Sequence, residues 1–305
     1  MSKICYVPKN FREATLATIL MANRIIGEFQ AQGFQLTLRQ LYYQFVARDL
    51  IPNVQSEYNK LGNTINDGRL AGLIDWEAIE DRTRNLQFLS HWSSPASIIR
   101  SAAAGYRIDK WQRQPYRVEV WIEKDALVGV LERACKSWDV AYFSCRGYTS
   151  QSEMWGAAQR LIQYSHNGQR TLILHLGDHD PSGLDMTRDI RERLSMFMSY
   201  EGVEPVTVER IALNADQIAK HKPPPNPAKL TDSRADGYIS RYGYDSWELD
   251  ALQPRVIEQL IIEAIEDVVD LDIYQEDQET EAEQRQHLEQ ASARWNEVED
   301  FLKED

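Results

Sequence analysis

From Arg117 to Leu213 the chain alternates apolar runs with amphipathic stretches, and this alternation constrains the fold more than any other feature. RVEVWIE, VAYFSC, TLILHLG and VTVERIAL have the length and β-branched content of strands. LVGVLERACKSW, SQSEMWGAAQRLIQYS and SGLDMTRDIRERLSMF carry the apolar spacing of helices between them. Strand and helix in strict alternation imply a mostly parallel, Rossmann-like sheet covered on both faces. In such sheets, functional groups gather at the carboxyl ends of the strands.

The segment before it reads differently. A helix over about Phe11–Gln32 ends at Gly33, and Thr37 caps a second helix, LRQLYYQFVARD. A turn at Ile51-Pro52-Asn53 leads to a third helix over about Gln55–Leu73, and Ile74-Asp75-Trp76 reads as the start of a short strand or wing. That order is the order of a winged helix-turn-helix. The expected organisation is a winged-helix domain at 1–90, a linker at 91–115 with at most a short helix, an α/β domain at 116–270 and a helical acidic tail at 271–305. Within the α/β domain PPPNP (223–227) marks a loop, and Leu249–Val269 reads as one helix.

The net charge of −13 belongs to the end of the chain. From Glu263 onward there are sixteen Asp or Glu and three Lys or Arg, so the preceding body is neutral. A neutral body argues against a non-specific DNA coater, yet it leaves room for a local basic face. The tail reads as a solvated cap. Three scattered cysteines, Cys5, Cys135 and Cys145, form neither a disulfide framework nor a CxxC pair, which points to a reducing cytoplasm. No apolar run approaches a membrane span and no signal-peptide pattern opens the chain.

Three acids fall where an α/β site places them. Glu123 ends the first strand, and Asp178 and Asp180 follow the third in a DxD spacing. Residues two apart in an extended segment point to the same side. Such a hard-oxygen pocket suits Mg²⁺, which binds through a few carboxylates and keeps waters for phosphate oxygens. Gly177 and Pro181-Ser182-Gly183 shape a tight loop ahead of a helix N-terminus able to meet phosphate.

IEK at 122–124 and GDHDPSG at 177–183 resemble the Glu and DxD motifs of Toprim domains. GYTSQSEMWGAAQRL (147–161) and WELDAL (247–252) are similar to segments of topoisomerase VI A subunits, whose family includes the meiotic double-strand-break transesterase. The resemblance spans about residues 35–270. It implies a winged helix plus a Toprim domain, with Glu123, Asp178 and Asp180 as ligands of Mg²⁺, for which Mn²⁺ can substitute. WELDAL is expected to play a structural part rather than a ligand's.

That family carries a nucleophilic tyrosine in its winged helix, four residues after an arginine. LRQLYYQF matches it, so the resemblance implies Tyr43 as nucleophile and Arg39 as its partner. Helical spacing separates the two tyrosines independently. Leu38, Leu41, Tyr42, Phe45 and Val46 form one apolar stripe, whereas Tyr43 lies ~100° from Tyr42 on the flank it shares with Arg39. Tyr42 is therefore expected to pack, and Tyr43 to reach solvent and DNA. A phenol of pKa about 10 is a weak nucleophile at neutral pH, and a guanidinium beside it favours the developing phenolate. Lys60 and Arg69 on the third helix, with Arg82 and Arg84 in the wing region, are candidate phosphate contacts.

The expected activity is thus DNA cleavage by tyrosine transesterification, of the topoisomerase (isomerase) type, on double-stranded DNA. The resemblance implies a homodimer whose site is shared between protomers, and a cytoplasmic, nucleoid-associated location. The tyrosine motif lies near the N-terminus and no GxxxxGK[ST] occurs. A compact "Mini-A" relative that does not depend on an ATPase B-type subunit is therefore expected. The rival readings are a Toprim nuclease that cuts by hydrolysis and a DNA-binding protein without turnover. A Toprim primase is disfavoured because no zinc-ligand cluster precedes the domain.

Overall fold

The computed structural model describes residues 3–79 and 89–303. Three helices open the chain: α1 (Glu13–Gln30), α2 (Leu38–Ala47) and α3 (Gln55–Leu70). Thr37 caps α2 with a reciprocal bond to Gln40, as its sequence suggested. Ile19, Ala22, Ile25, Leu41, Phe45, Leu61, Ile65 and Ile74 bury one shared core among the three helices. The expected wing strand does not form at Ile74-Asp75-Trp76. Asp75 instead accepts the Glu77 N–H at 3.0 Å and caps a 3₁₀ turn, Trp76–Ala78. An aspartate followed by Trp-Glu-Ala offers the backbone a cap that competes with a strand ladder.

The 91–115 segment contains the short helix its sequence allowed. It holds α4 (Pro95–Gly105), capped by Ser94 and packed along the tail. The α/β unit follows as β1 (Tyr116–Ile122), α5 (Val128–Ser137), β2 (Ala141–Ser144), α6 (Gln151–His166), β3 (Arg170–Leu176), α7 (Pro181–Tyr200) and β4 (Thr207–Ala212). All four strands are parallel, in the order β2-β1-β3-β4. The alternation of β1 explains its two cores. Val118, Val120 and Ile122 face α5 and a later helix, while Trp121 faces α6 and α7. Glu119, also on the Trp121 side, survives burial because Arg160 grips it at 2.7 and 2.9 Å.

Beyond the sheet lie α8 (Ala215–His221), a short antiparallel pair β5 (Asn226–Pro227) and β6 (Asp245–Ser246) flanking α9 (Ala235–Tyr242), and α10 (Pro254–Glu266). The PPPNP loop therefore ends in a strand. The helix expected from Leu249 begins at Pro254, because Leu249–Ala251 forms a separate 3₁₀ turn. The tail forms α11 (Leu271–Ala293) and α12 (Trp295–Lys303). It is not merely a solvated cap. Asp277 and Glu281 are buried against Arg113 and Lys110, and Ser292 donates to the Ala96 carbonyl at 2.9 Å. Among the described residues no helix is long and apolar enough to cross a membrane.

Candidate active site

The strand order turns around between β1 and β3, since β2 lies on one side of β1 and β3 on the other. The crevice of a parallel sheet opens at this reversal. Glu123 follows β1 and extends its ladder, with its N–H donating to the Leu176 carbonyl at 2.9 Å. Asp178 follows β3. A cavity of about 430 Å³ opens here, and Arg39, Tyr43, Glu123, Lys124, Asp178, Asp180, Lys229 and Glu248 all line it.

A backbone amide holds one oxygen of each sequence-predicted acid. The Asp178 N–H donates to Glu123 Oε2 at 2.9 Å, the Leu249 N–H to Asp178 Oδ1 at 2.8 Å, and the Gly183 N–H to Asp180 Oδ1 at 2.6 Å. Asp180 thereby caps α7, with Pro181 in the first turn. Gly183 is required for this turn, because a Cβ there would lie 2.2 Å from the Asp178 carbonyl oxygen.

The residue between the two aspartates points the other way. His179 pairs its backbone with Trp247 at 2.8 and 3.0 Å, and its imidazole meets the Tyr238 hydroxyl at 3.0 Å among the rings of Tyr238, Tyr242 and Trp247. Anchoring His179 leaves Asp178 and Asp180 on the cavity side. Beneath the loop, the Arg210 guanidinium from β4 donates to the carbonyls of Gly177, Asp178 and Gly183 at 2.8, 2.6 and 2.9 Å. It also donates to Thr187 Oγ1 at 2.9 Å. Sequence reading missed Arg210, which lies far from either motif.

The carboxylates strain against one another. Burial pushes the Glu123 carboxyl up to about 7, with Asp178 and Asp180 adding to the effect. Burial likewise raises Asp178. Clustered carboxylate oxygens are the hard donor set that a divalent ion suits. The residues present fit Mg²⁺ in chemistry. Among the described residues, however, no three His, Cys, Asp or Glu side chains are arranged to hold an ion as they stand. A lysine follows Glu123 and enters the acidic cluster. Lys124 Nζ sits 2.8 Å from Asp178 Oδ2, 2.8 Å from Glu248 Oε2 and 3.4 Å from Asp250 Oδ1.

WELDAL thus contributes Glu248 and Asp250 to the network as well as backbone to the loop. Their i, i+2 spacing is the sequence signal. Burial pushes Asp250 up to about 6, with Glu248 adding to it. Burial also works to raise Glu248, but Lys124 and Arg39 hold it down at about 2.

Arg39 reaches the same pair from α2, with Nη2 at 2.6 Å from Glu248 Oε2 and Nε at 3.0 Å from Asp250 Oδ2. Its Nη2 is also 3.5 Å from the Tyr43 hydroxyl. Tyr42 packs as expected, edge-on to Tyr43 and Tyr58, with its hydroxyl 3.1 Å from Asn53 Oδ1. Tyr43 departs from expectation. Its ring is 3% exposed, because the flank that helical spacing left to solvent is covered by the 249–251 turn. Burial raises its phenol above the usual range, and Asp250 and Glu248 add to this.

The remaining candidates divide. Lys60 is exposed on α3 beside Glu57 and does not line the cavity. Arg69 is half-buried on α3. It donates to the carbonyls of Trp76 and Ile79 at 3.1 and 2.7 Å and so fastens the 76–79 turn. Arg82 and Arg84 lie outside the described residues. Arg39 and Tyr43 line one cavity with the acids of their own chain. No protein-family model and no curated protein matches this chain.

Proposed function

We propose that this protein cleaves double-stranded DNA by transesterification, with Tyr43 as nucleophile and a Toprim-like acidic site as its partner. One observation carries the reading: Arg39 and Tyr43, on a helix of a separate core, line the same cavity as Glu123, Asp178 and Asp180. Glu123, Asp178 and Asp180 would hold Mg²⁺, or Mn²⁺ in its place. When bound, the ion would offset charge developing on the phosphodiester.

In this reading the chain's own residues do the rest. The Tyr43 oxygen attacks phosphorus and its proton leaves to solvent or a nearby carboxylate. The bond from phosphorus to the sugar oxygen breaks, and that oxygen leaves with a proton as a free hydroxyl. Arg39 lies close enough to favour the anionic phenol oxygen as it forms. Glu248 and Asp250 disfavour that anion, and the Arg39 guanidinium beside the phenol opposes them. The phosphotyrosyl bond conserves the energy of the cut and permits resealing.

The burial of Tyr43 favours a second reading, in which a water rather than the phenol attacks and the cut ends stay free. Covalent trapping separates the two. Supercoiled DNA incubated with protein and Mg²⁺ or Mn²⁺, then quenched in detergent, yields protein-capped ends under the first reading, lost in Tyr43→Phe and in Asp178→Ala. Free ends that survive Tyr43→Phe establish hydrolysis.

A further inference from the structure

Lys124 has more anionic partners than any other cation of the site, and one of them is a proposed metal ligand. Its ammonium carries three donors. They meet Asp178 at 2.8 Å, Glu248 at 2.8 Å and Asp250 at 3.4 Å, with the side chain 21% exposed. The Asp178 oxygen in this pair is Oδ2, since Oδ1 is taken by the Leu249 amide. A divalent ion on Asp178 would bind at about 2.0–2.1 Å. It would share Oδ2 with an ammonium, and two cations on one oxygen in a partly dehydrated pocket repel strongly.

We propose that Lys124 is a built-in counter-cation for Asp178, which keeps the acidic site from taking a divalent ion until a phosphodiester arrives. The inference rests on the reading of Glu123, Asp178 and Asp180 as a metal site. The surrounding charges support the exchange. Arg39 and Lys124 are two cations that face Glu248 and Asp250, two anions, once Asp178 is released. The ammonium therefore need not travel far or stand unpaired. A phosphodiester in the cavity supplies the anion that draws Lys124 off Asp178, and Asp178 Oδ2 then becomes free for the ion. Metal and DNA are in this way obliged to bind cooperatively. By linkage, each raises the affinity for the other by the same factor.

The test is a Mn²⁺ titration of the full chain, read by electron paramagnetic resonance, with and without a short duplex. Wild type is compared with Lys124→Met, which keeps the apolar stem and removes the charge. The expected result is weak Mn²⁺ binding by wild type alone and binding about tenfold tighter with duplex, a difference of about 1.4 kcal/mol. Lys124→Met should bind Mn²⁺ tightly without duplex, and duplex should add little. Saturable binding that the substitution leaves unchanged or weakens overturns the role of Lys124 while leaving the metal site standing. Absence of saturable binding in both proteins, with or without duplex, refutes the metal site and this inference together. Should Lys124→Met fail to fold, Lys124→Gln carries the same measurement, and wild-type affinity there overturns the proposal.

Discussion

Arg39 on α2 and Asp250, 211 positions later, are joined by a 3.0 Å ion pair whose carboxylate side chain is fully buried. The pair ties the N-terminal helical core to the end of the sheet and fixes the flank of α2 that carries Tyr43. Removing one partner of a fully buried pair costs about 3–5 kcal/mol. The Arg39 side chain is 44% exposed, and Lys124 still faces Asp250. Arg39→Ala is therefore expected to destabilise by only about 1–2 kcal/mol after solvent screening. Urea unfolding should show a lower midpoint with an unchanged slope.

The two tyrosines should separate cleanly. The Tyr42 hydroxyl binds Asn53 Oδ1 at 3.1 Å and the Val54 carbonyl at 3.2 Å. Tyr42→Phe should cost about 1 kcal/mol of stability, the usual worth of such bonds, and leave covalent cleavage intact. Tyr43→Phe should abolish the covalent product with little change in unfolding.

Glu123 gives the acidic site a pH signature. Burial lifts its folded value from 4.5 to about 7. The folded state then binds more protons than the unfolded state across that window, so stability declines as pH rises from about 4.5 to 7. The full penalty is at most about 3 kcal/mol above pH 7 and vanishes below about 4.5. With chelator present, Glu123→Gln should be more stable than wild type at pH 8 and equal to it at pH 4. Thermal melts across this range check the sign, and a gap that grows toward acid contradicts it.

Much of this was legible in the sequence for physical reasons. The strand–helix alternation fixed a parallel sheet, and acids at two strand ends fell at its reversal because groups there project into the crevice. The i, i+4 spacing put Arg39 and Tyr43 on one flank. Helical periodicity did not show what covers that flank, since the 249–251 turn comes from the far end of the chain. The same distance hid Arg210, whose guanidinium binds backbone carbonyls that carry no residue signature. At Ile74-Asp75-Trp76 a local Asp75 cap took the place of the expected strand start. The tail was misjudged from its charge alone, although Lys110 and Arg113 neutralise two of its acids.

The placement of Tyr43 beside the same chain's acids bears on assembly. Mixing Tyr43→Phe with Asp178→Asn should restore no cleavage if a single chain supplies both groups. Restoration toward a quarter of wild-type activity in an equal mixture would show that the tyrosine of one protomer works with the acids of another.

The most direct measurement is the site of attachment. Trapped DNA–protein product, trimmed by nuclease and digested with protease, is read by tandem mass spectrometry. The account predicts a nucleotide mass on the peptide containing Tyr42 and Tyr43, with fragment ions placing it on Tyr43. Cut DNA with no adducted peptide, or an adduct on another residue, would contradict it.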